Sequence, residues 1–344
     1  MTEKISLIIP VRNEANYISR CLDSVFDQKG LEDKQLEVFV VDGLSTDNTC
    51  QIVKEYQKIH TNLILLVNPG RIVPIGMNIA YALAKGDLLI RVDGHCEIAT
   101  NYVNNCLKHL READAVGVGG PMHTFGETPL SETIAFAMSS VFGVGNSSFR
   151  TMQGKTTYVD SIPFPAYTRE IIAKVGYYDE EMVRNQDDEY NYRIREAGGR
   201  LLLAADVQSK YYSRGTLTKL WKQYFQYGFW KVRVLQKHPR QMSLRQFVPP
   251  TFVASLILSF VLALFNPVFW IILAGIGGIY LLANLLASFL TAAKKGWRHL
   301  VLLPLTFAIL HISYGLGFLA GLVKFANRWN DKIGKTPDGK PFQS

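Results

Sequence analysis

Apolar and polar positions come in alternating blocks along the first ninety residues. Residues 5–11 (ISLIIPV) are a short Ile-rich apolar run, the pattern of a strand buried on both faces. Residues 16–26 follow with apolar positions at helical spacing. A second run, 36–41 (LEVFVV), ends at Asp42-Gly43, and Ser45 or Thr46 stands where a helix through Tyr56 would be capped. Residues 63–67 (LILLV) predict a third strand, 75–84 a helix, and 87–92 a fourth strand. Strands alternating with helices predict an open, mostly parallel α/β sheet. Such sheets bind ligands beyond the carboxyl ends of their strands. Each early strand here runs into polar residues at that end: Arg12-Asn13-Glu14, Asp42, Asn68 and Asp93.

The pattern changes in the last third. No Asp, Glu, Lys or Arg occurs between Arg245 and Lys294, nor between Arg298 and Lys324. As a helix the first stretch would be roughly 70 Å long, at about 1.5 Å per residue. That is twice the ~30 Å hydrocarbon thickness, so it predicts two spans, and the second stretch predicts one. The spans fall near 248–266, 268–290 and 300–323, with Asn266-Pro267 as the turn between the first two. Just before them, residues 216–240 mix aromatic and basic side chains with no acid, the composition of an amphipathic helix at headgroup depth. The expected organisation is an α/β domain over 1–215, an interface segment over 216–246, transmembrane helices over 247–325 and a basic tail over 326–344.

Charge follows the same division. Residues 1–209 carry 20 Lys and Arg against 27 Asp and Glu, whereas residues 210–344 carry 17 against 2. The basic total therefore points to an anionic lipid surface rather than to nucleic acid, which would need a basic face on the folded domain. The N-terminal apolar run is cut by Pro10 and Arg12 and does not read as a signal peptide, which predicts a cytosolic head. Cys21, Cys50, Cys96 and Cys106 form no CxxC pair and read as reduced packing thiols. Lys294, Lys295 and Arg298 predict a cytosolic loop. Three spans would then carry the C-terminus outside, yet Lys324, Arg328, Lys332, Lys335 and Lys340 follow the last one. The span count stays open between three and an even number with one re-entrant or interfacial stretch.

Taken in order, IIPVRNE (8–14), VVDGLSTDNT (40–49), NPGRIVPIGMNIAYALAKGDLLIRVDGH (68–95) and VRNQDDEYNYRIREAGGRL (183–201) resemble glycosyltransferase family 2, the inverting enzymes with a GT-A fold. The resemblance covers roughly residues 4–235. VDSIPFPAY followed by VRNQDDEYNYR is most similar to the ExoA-type enzymes of bacterial exopolysaccharide assembly. The fold it implies is a GT-A, Rossmann-like, mostly parallel sheet, here followed by an α-helical transmembrane region.

The resemblance also assigns roles. Pro10, Arg12, Asn13, Glu14 and Asp42 are implied to contact the nucleoside of a nucleotide-sugar donor. A carboxylate suits a base N–H or a ribose hydroxyl. Arg71, in a Pro-Gly-Arg loop, is implied to touch the diphosphate, with a solvated surface arginine as the alternative. Asp93-Gly94-His95 stands where the family has Asp-x-Asp, so Asp93 and His95 are the implied metal pair. A nitrogen in place of the second carboxylate favours Mn²⁺ over Mg²⁺ without excluding the latter. Asp187 matches the family's catalytic aspartate, with Gln186 in place of the preceding Glu and Arg193 at its matching place. The aspartate is implied to act as general base on the acceptor hydroxyl. Gln226 and Trp230 match part of the Gln-x-x-Arg-Trp of processive members, but Phe229 replaces the Arg, which argues for adding one sugar or few. These residues are either acceptor-side groups or membrane anchors.

The reading that results is transfer of a hexose from a nucleoside diphosphate sugar, UDP-glucose by resemblance, to a lipid-linked glycan at the cytoplasmic membrane. Its alternatives are a polyprenyl-phosphate sugar synthase and a catalytically silent sugar-nucleotide-binding scaffold.

Overall fold

A computed structural model of the chain describes residues 3–145, 148–151, 154–213, 215–331 and 334. They divide into two compact units, one formed by the described residues of 3–123, 154–211 and 334, the other by those of 124–151 and 212–331. In chain order the first stretch holds β1 (Lys4–Val11), α1 (Ile18–Phe26), β2 (Gln35–Asp42), α2 (Thr49–Gln57), β3 (Leu63–Val67), α3 (Val73–Leu83), β4 (Leu88–Arg91), β5 (Cys96–Ile98), α4 (Tyr102–Glu112) and β6 (Gly117–Gly119). Then come β7 (Met122–Phe125), α5 (Pro129–Met138), α6 (Val141–Val144), α7 (Ser148–Thr151), β8 (Thr157–Val159), β9 (Ala166–Thr168), α8 (Arg169–Val175), α9 (Gln186–Glu196), β10 (Leu201–Leu203) and β11 (Ser209–Tyr212). The last helices are α10 (Leu217–Lys237), α11 (Val248–Ala263), α12 (Val268–Lys295) and α13 (Leu303–Lys324).

The first unit is built on an eight-stranded sheet in the order β3-β2-β1-β4-β9-β6-β10-β8. The four strands read from the apolar runs lie together at one side and are all parallel. Seven of the eight β1 positions are buried, because helices cover both sheet faces and a two-sided strand must be apolar throughout. Register aligns the strand ends: Val11 pairs with Asp42, and Asp42 with Val67. Antiparallel β9 enters between β4 and β6, so the sheet is mixed from there on.

Two sequence expectations change. The start of α2 is not capped by Ser45 or Thr46; Asp47 Oδ1 takes the Thr49 N–H at 3.0 Å instead. Ser45 and Thr46 tie to Asn13, which competes for their hydrogen bonds. Residues 124–151, expected inside the catalytic domain, group with the helical unit. Their apolar helix α5 is held there by polar contacts, with Thr133 Oγ1 2.8 Å from His299 Nδ1 and Glu132 ion-paired with Arg298 at 2.8 Å.

The segment expected to lie in the interface forms α10 and packs along α13, with ten of its residues buried. Glycines allow this: a Cβ on Gly228 would stand 2.0 Å from the Tyr314 carbonyl oxygen. Stretch 244–263, α12 and α13 are each long and apolar enough to cross a membrane. The basic tail expected over 326–344 lies mostly outside the described residues.

Candidate active site

The parallel strands deliver their ends to one rim of the first unit. β2 closes on Asp42, which is 5% exposed. Its Oδ2 accepts the Ser45 N–H at 3.0 Å, while the buried Oδ1 has no hydrogen-bond partner among the described residues. A buried carboxylate oxygen without a donor is costly, and a ligand N–H or hydroxyl would relieve it. Burial, then the side chain and charge of Asp42, push the neighbouring Cys50 thiol up to about 11.

Beyond β1 the chain turns at Asn13, whose φ of 58° is left-handed. The Asn13 N–H donates to Ser45 Oγ at 2.8 Å and its Oδ1 accepts the Thr46 N–H at 2.8 Å. Asn13 therefore locks the two loops together. Arg12 beside it is exposed, and Pro10 is buried within β1. Arg71 also turns left-handed, at φ 61°, and its N–H is held by Asn68, leaving the guanidinium exposed at the end of β3.

The centre of the rim is a residue that sequence reasoning passed over. Arg91 ends β4 level with Ile8 and its side chain is 5% exposed. Its Nε donates to Asp93 Oδ1 at 3.0 Å, its Nη2 lies 2.8 Å from the same oxygen, and its Nη1 pairs with Asp187 Oδ1. One guanidinium thus gathers both carboxylates, the fork geometry at which arginine excels.

The two aspartates respond differently. Burial works against ionised Asp93, but Arg91 and then His95 outweigh it and hold its carboxyl below the usual range. At Asp187 burial wins, and the charges of Asp93 and Asp188 add to it, so its carboxyl lies above the usual range despite Arg91. The Asp187 side chain keeps 40% of its exposure, which tempers that rise. With Oδ1 held by Arg91, Oδ2 is the atom left to meet a substrate.

His95 is placed by a carboxylate. Its Nδ1 lies 3.0 Å from Glu14 Oε1, and Tyr211 packs on its ring at 5.0 Å between centroids. Nδ1–H donating to Glu14 leaves Nε2 with its lone pair, the arrangement that orients metal-ligating histidines. Glu14 is thus tied to His95. Among the described residues no three His, Cys, Asp or Glu side chains form a cation cage. Asp93 and His95 Nε2 suit a cation that completes its shell with phosphate oxygens, as Mg²⁺ commonly does.

Residues 6–176 match the family model described as glycosyl transferase family 2. This stretch is a glycosyltransferase family 2 domain, and the chain is a transferase. The chain is 29% identical over 325 residues to the succinoglycan biosynthesis protein ExoA of Rhizobium meliloti (strain 1021), covering 94% of this chain and 96% of that one. It is 26% identical over 328 residues to a dolichyl N-acetyl-α-D-glucosaminyl phosphate 3-β-D-2,3-diacetamido-2,3-dideoxy-β-D-glucuronosyltransferase of Methanococcus voltae, covering 93% and 97%. Among solved structures it shares its fold with the mannosyltransferase PcManGT of Pyrobaculum calidifontis, at TM-score 0.53 and 19% identity over 97% of this chain and 89% of that one.

The matched stretch stops before α9, which brings Asp187 to Arg91. The helix opens at Asn185 in a left-handed conformation (φ 60°) and carries Asp187, Asp188 and Glu189 in its first turn, where acids suit the helix dipole. Arg193 fixes it from below. Its Nε pairs with Glu189 at 2.7 Å, and Nη1 and Nη2 donate to the carbonyls of Val175 and Tyr177 at 2.7 and 2.8 Å. Gln186 is buried, with Oε1 unpartnered among the described residues. Beneath Asp187 the ring of Tyr178 stacks on Tyr190 at 4.1 Å, a buried floor that no local motif announced.

Gln226 and Trp230 belong to the other unit. The Trp230 ring packs on Phe325 at 5.6 Å and on Phe229 at 5.6 Å within that unit's aromatic cluster. It holds helices together there.

Proposed function

We propose that this glycosyltransferase moves a hexose, with inversion, from a nucleoside diphosphate sugar to a lipid-linked glycan in exopolysaccharide or cell-envelope glycan synthesis. The donor is UDP-glucose and the site faces the cytosol at the inner membrane. The observation that carries the reading is the pairing of Asp187 and Asp93 on one buried guanidinium at the ends of the parallel strands. The names of the two relatives, one in succinoglycan biosynthesis and one acting on a dolichyl phosphate sugar, support a glycan acceptor carried on lipid. The apolar helices support a membrane-bound enzyme that meets a membrane-bound substrate.

Asp187 Oδ2 takes the proton of the acceptor hydroxyl as general base. The hydroxyl oxygen bonds to the anomeric carbon while the bond from that carbon to the diphosphate oxygen breaks, and the nucleoside diphosphate leaves. A single displacement inverts the centre. Asp42 Oδ1 is the acceptor for the nucleoside, with Arg12 exposed beside it. Arg71 meets the diphosphate. A divalent cation, Mn²⁺ or Mg²⁺, held by Asp93 and His95 Nε2, would neutralise charge on that diphosphate. PcManGT was solved with GDP-Man and Mn²⁺, so this fold accommodates such a pair.

The test is a donor screen on membranes containing the chain and a lipid extract, scored by nucleotide release. Asp187→Asn should lose roughly 100-fold or more in turnover while donor binding survives, the scale of a lost general base. Asp188→Asn should keep turnover. The reverse pattern overturns the assignment, and a product cleaved by mild acid would identify a polyprenyl-phosphate sugar instead.

A further inference from the structure

We propose that α13 does not cross the bilayer: it is the core helix of a surface layer shared with α10, and only the α11–α12 hairpin enters the membrane. The inference rests on the membrane-bound reading above and deepens it.

Hydropathy treats the three apolar helices alike, but their surroundings differ. Half of the apolar window of α13 is buried inside the protein, against 6% for α12. A helix apolar on every side is either a span or a core helix, and burial by protein separates the two. α13 is enclosed from several directions. α11 reaches it at Gly315, where a Cβ would stand 2.7 Å from the Pro249 carbonyl oxygen. α6 reaches it at His311, whose Nε2 donates to the Phe142 carbonyl at 2.8 Å.

The decisive neighbour is α10. A Cβ on Gly317 would stand 2.0 Å from the Phe225 carbonyl oxygen, and one on Gly321 2.5 Å from that of Phe229. The contacts advance together along both helices, so α10 and α13 run parallel and side by side. Lys222, one turn before Phe225, therefore comes level with Tyr314, the middle of α13. Lys222 and Lys219 are exposed, with Trp221 between them 37% exposed. If α13 stood across the bilayer, these ammonium groups would sit near mid-depth, where a charge is costly. Laid along the surface, the same face places its lysines at headgroup level and its tryptophan at the interface, and anionic lipid is the partner it fits.

The C-terminal end of α13 is clamped to α10 as well. Arg233 is fully buried, donates to the carbonyls of Arg328 and Asp331 at 3.2 and 3.1 Å, and lies over the Phe325 ring. The chain after α13 thus stays with the helix that leads into the membrane. By contrast the α11–α12 hairpin is bare, with Phe265 82% and Leu264 64% exposed at its turn. A hairpin returns the chain to the side it left. Lys294, Lys295 and Arg298 then share one side with Lys324 and Arg328, and the conflict with the positive-inside rule disappears.

The experiment is impermeant-maleimide labelling of the full chain in sealed vesicles of known orientation. The single substitutions are Gly215→Cys, Phe265→Cys and Asn330→Cys, and the parent chain, whose native thiols are mostly buried, sets the background. The expected result is that Gly215→Cys and Asn330→Cys label from the same side, at least tenfold over their labelling from the other, while Phe265→Cys does not label from that side. An epitope appended after Ser344 should be reached from that same side without any substitution. Labelling of Asn330→Cys and of the epitope from the opposite side overturns the inference while leaving the membrane reading intact. Release of the whole chain by alkaline carbonate overturns the membrane reading itself.

Discussion

Arg91→Met tests whether one guanidinium organises the catalytic rim. The methionine fills much of the aliphatic stem and removes only the charge and its donors. What remains is Asp93 and Asp187, two carboxylates that shared the Arg91 fork, with Asp93 Oδ1 2.8–3.0 Å from the lost nitrogens. Removing one member of a fully buried ion pair costs about 3–5 kcal/mol. Asp93 and Asp187 keep 23% and 40% of their side-chain exposure, so water recovers part of that. A loss of about 2–3 kcal/mol is the consistent figure. It corresponds to a fall of about 5–10 °C in Tm for a domain of this size and leaves the fold intact.

The catalytic effect should be larger. Without Arg91, burial and the Asp93 charge lose the guanidinium that opposes them at Asp187, so its carboxyl rises further and its Oδ2 is no longer aimed. Turnover should fall roughly 100-fold, the lower end of a general base's contribution. The acid limb of the rate profile should move to higher pH, because the base works only when deprotonated. Arg91→Lys should recover part of the stability and little of the turnover, since one ammonium does not bridge two carboxylates in a fixed fork. The assay is nucleotide release against pH, beside a thermal melt. If Arg91→Met keeps turnover within about twofold and leaves the acid limb in place at a temperature where it is folded, Arg91 is a packing residue and the argument fails.

Other outcomes follow from the same geometry. In the parent enzyme the acid limb should lie above the ordinary aspartate range, because Asp187 is raised by burial and activity is lost as pH falls through its folded value; a limb in or below the ordinary range would contradict this. Asp42→Asn should raise KM for the donor about 10-fold or more with kcat nearly unchanged, the scale of one charge-assisted hydrogen bond, as isothermal titration with the nucleotide would register. His95→Ala should raise the Mn²⁺ concentration needed for half-maximal nucleotide binding, and Glu14→Gln should do so more weakly, because it orients the ring without ligating. Arg193→Ala should cost about 3 kcal/mol in a thermal melt, since Glu189, whose side chain is 3% exposed, loses its partner.

Strands and their polar ends were legible because two-sided burial forces uninterrupted apolar runs, and a parallel sheet places their C-terminal residues on one rim. That logic singled out Asp42 and Asp93, whereas Asp187 was singled out by the resemblance of VRNQDDEYNYR to the family motif. It missed Arg91, although the signal was present: a lone charge inside the run LLIRV has to find partners when the strand is buried on both faces. It did not anticipate the contacts of Asn13 and Glu14. A side chain at a strand end faces either a ligand or a neighbouring loop, and local pattern does not distinguish the two. Asn13 is tied to Ser45 and Thr46, and Glu14 to His95, by contacts between residues 32 to 81 positions apart.

The helical unit has the same ambiguity at larger scale. Hydropathy measures what a helix is made of, not whether lipid or protein lies against it. α12 and α13 have nearly the same composition, yet one is bare and the other enclosed. The distinguishing marks are spread over distant segments: glycines at 228, 317 and 321 that let two backbones touch, and a buried Arg233 that reaches carbonyls beyond Phe325. Each mark is unremarkable by itself, since glycines are common in spans and basic residues are common at their ends. Together they make α13 inseparable from a helix that carries five lysines and arginines, of which the exposed Lys219 and Lys222 would be tolerated in hydrocarbon only at high cost. A chain whose membrane helices were counted from apolar length alone would therefore be assigned one crossing too many, and its basic C-terminal segment would be placed on the wrong side.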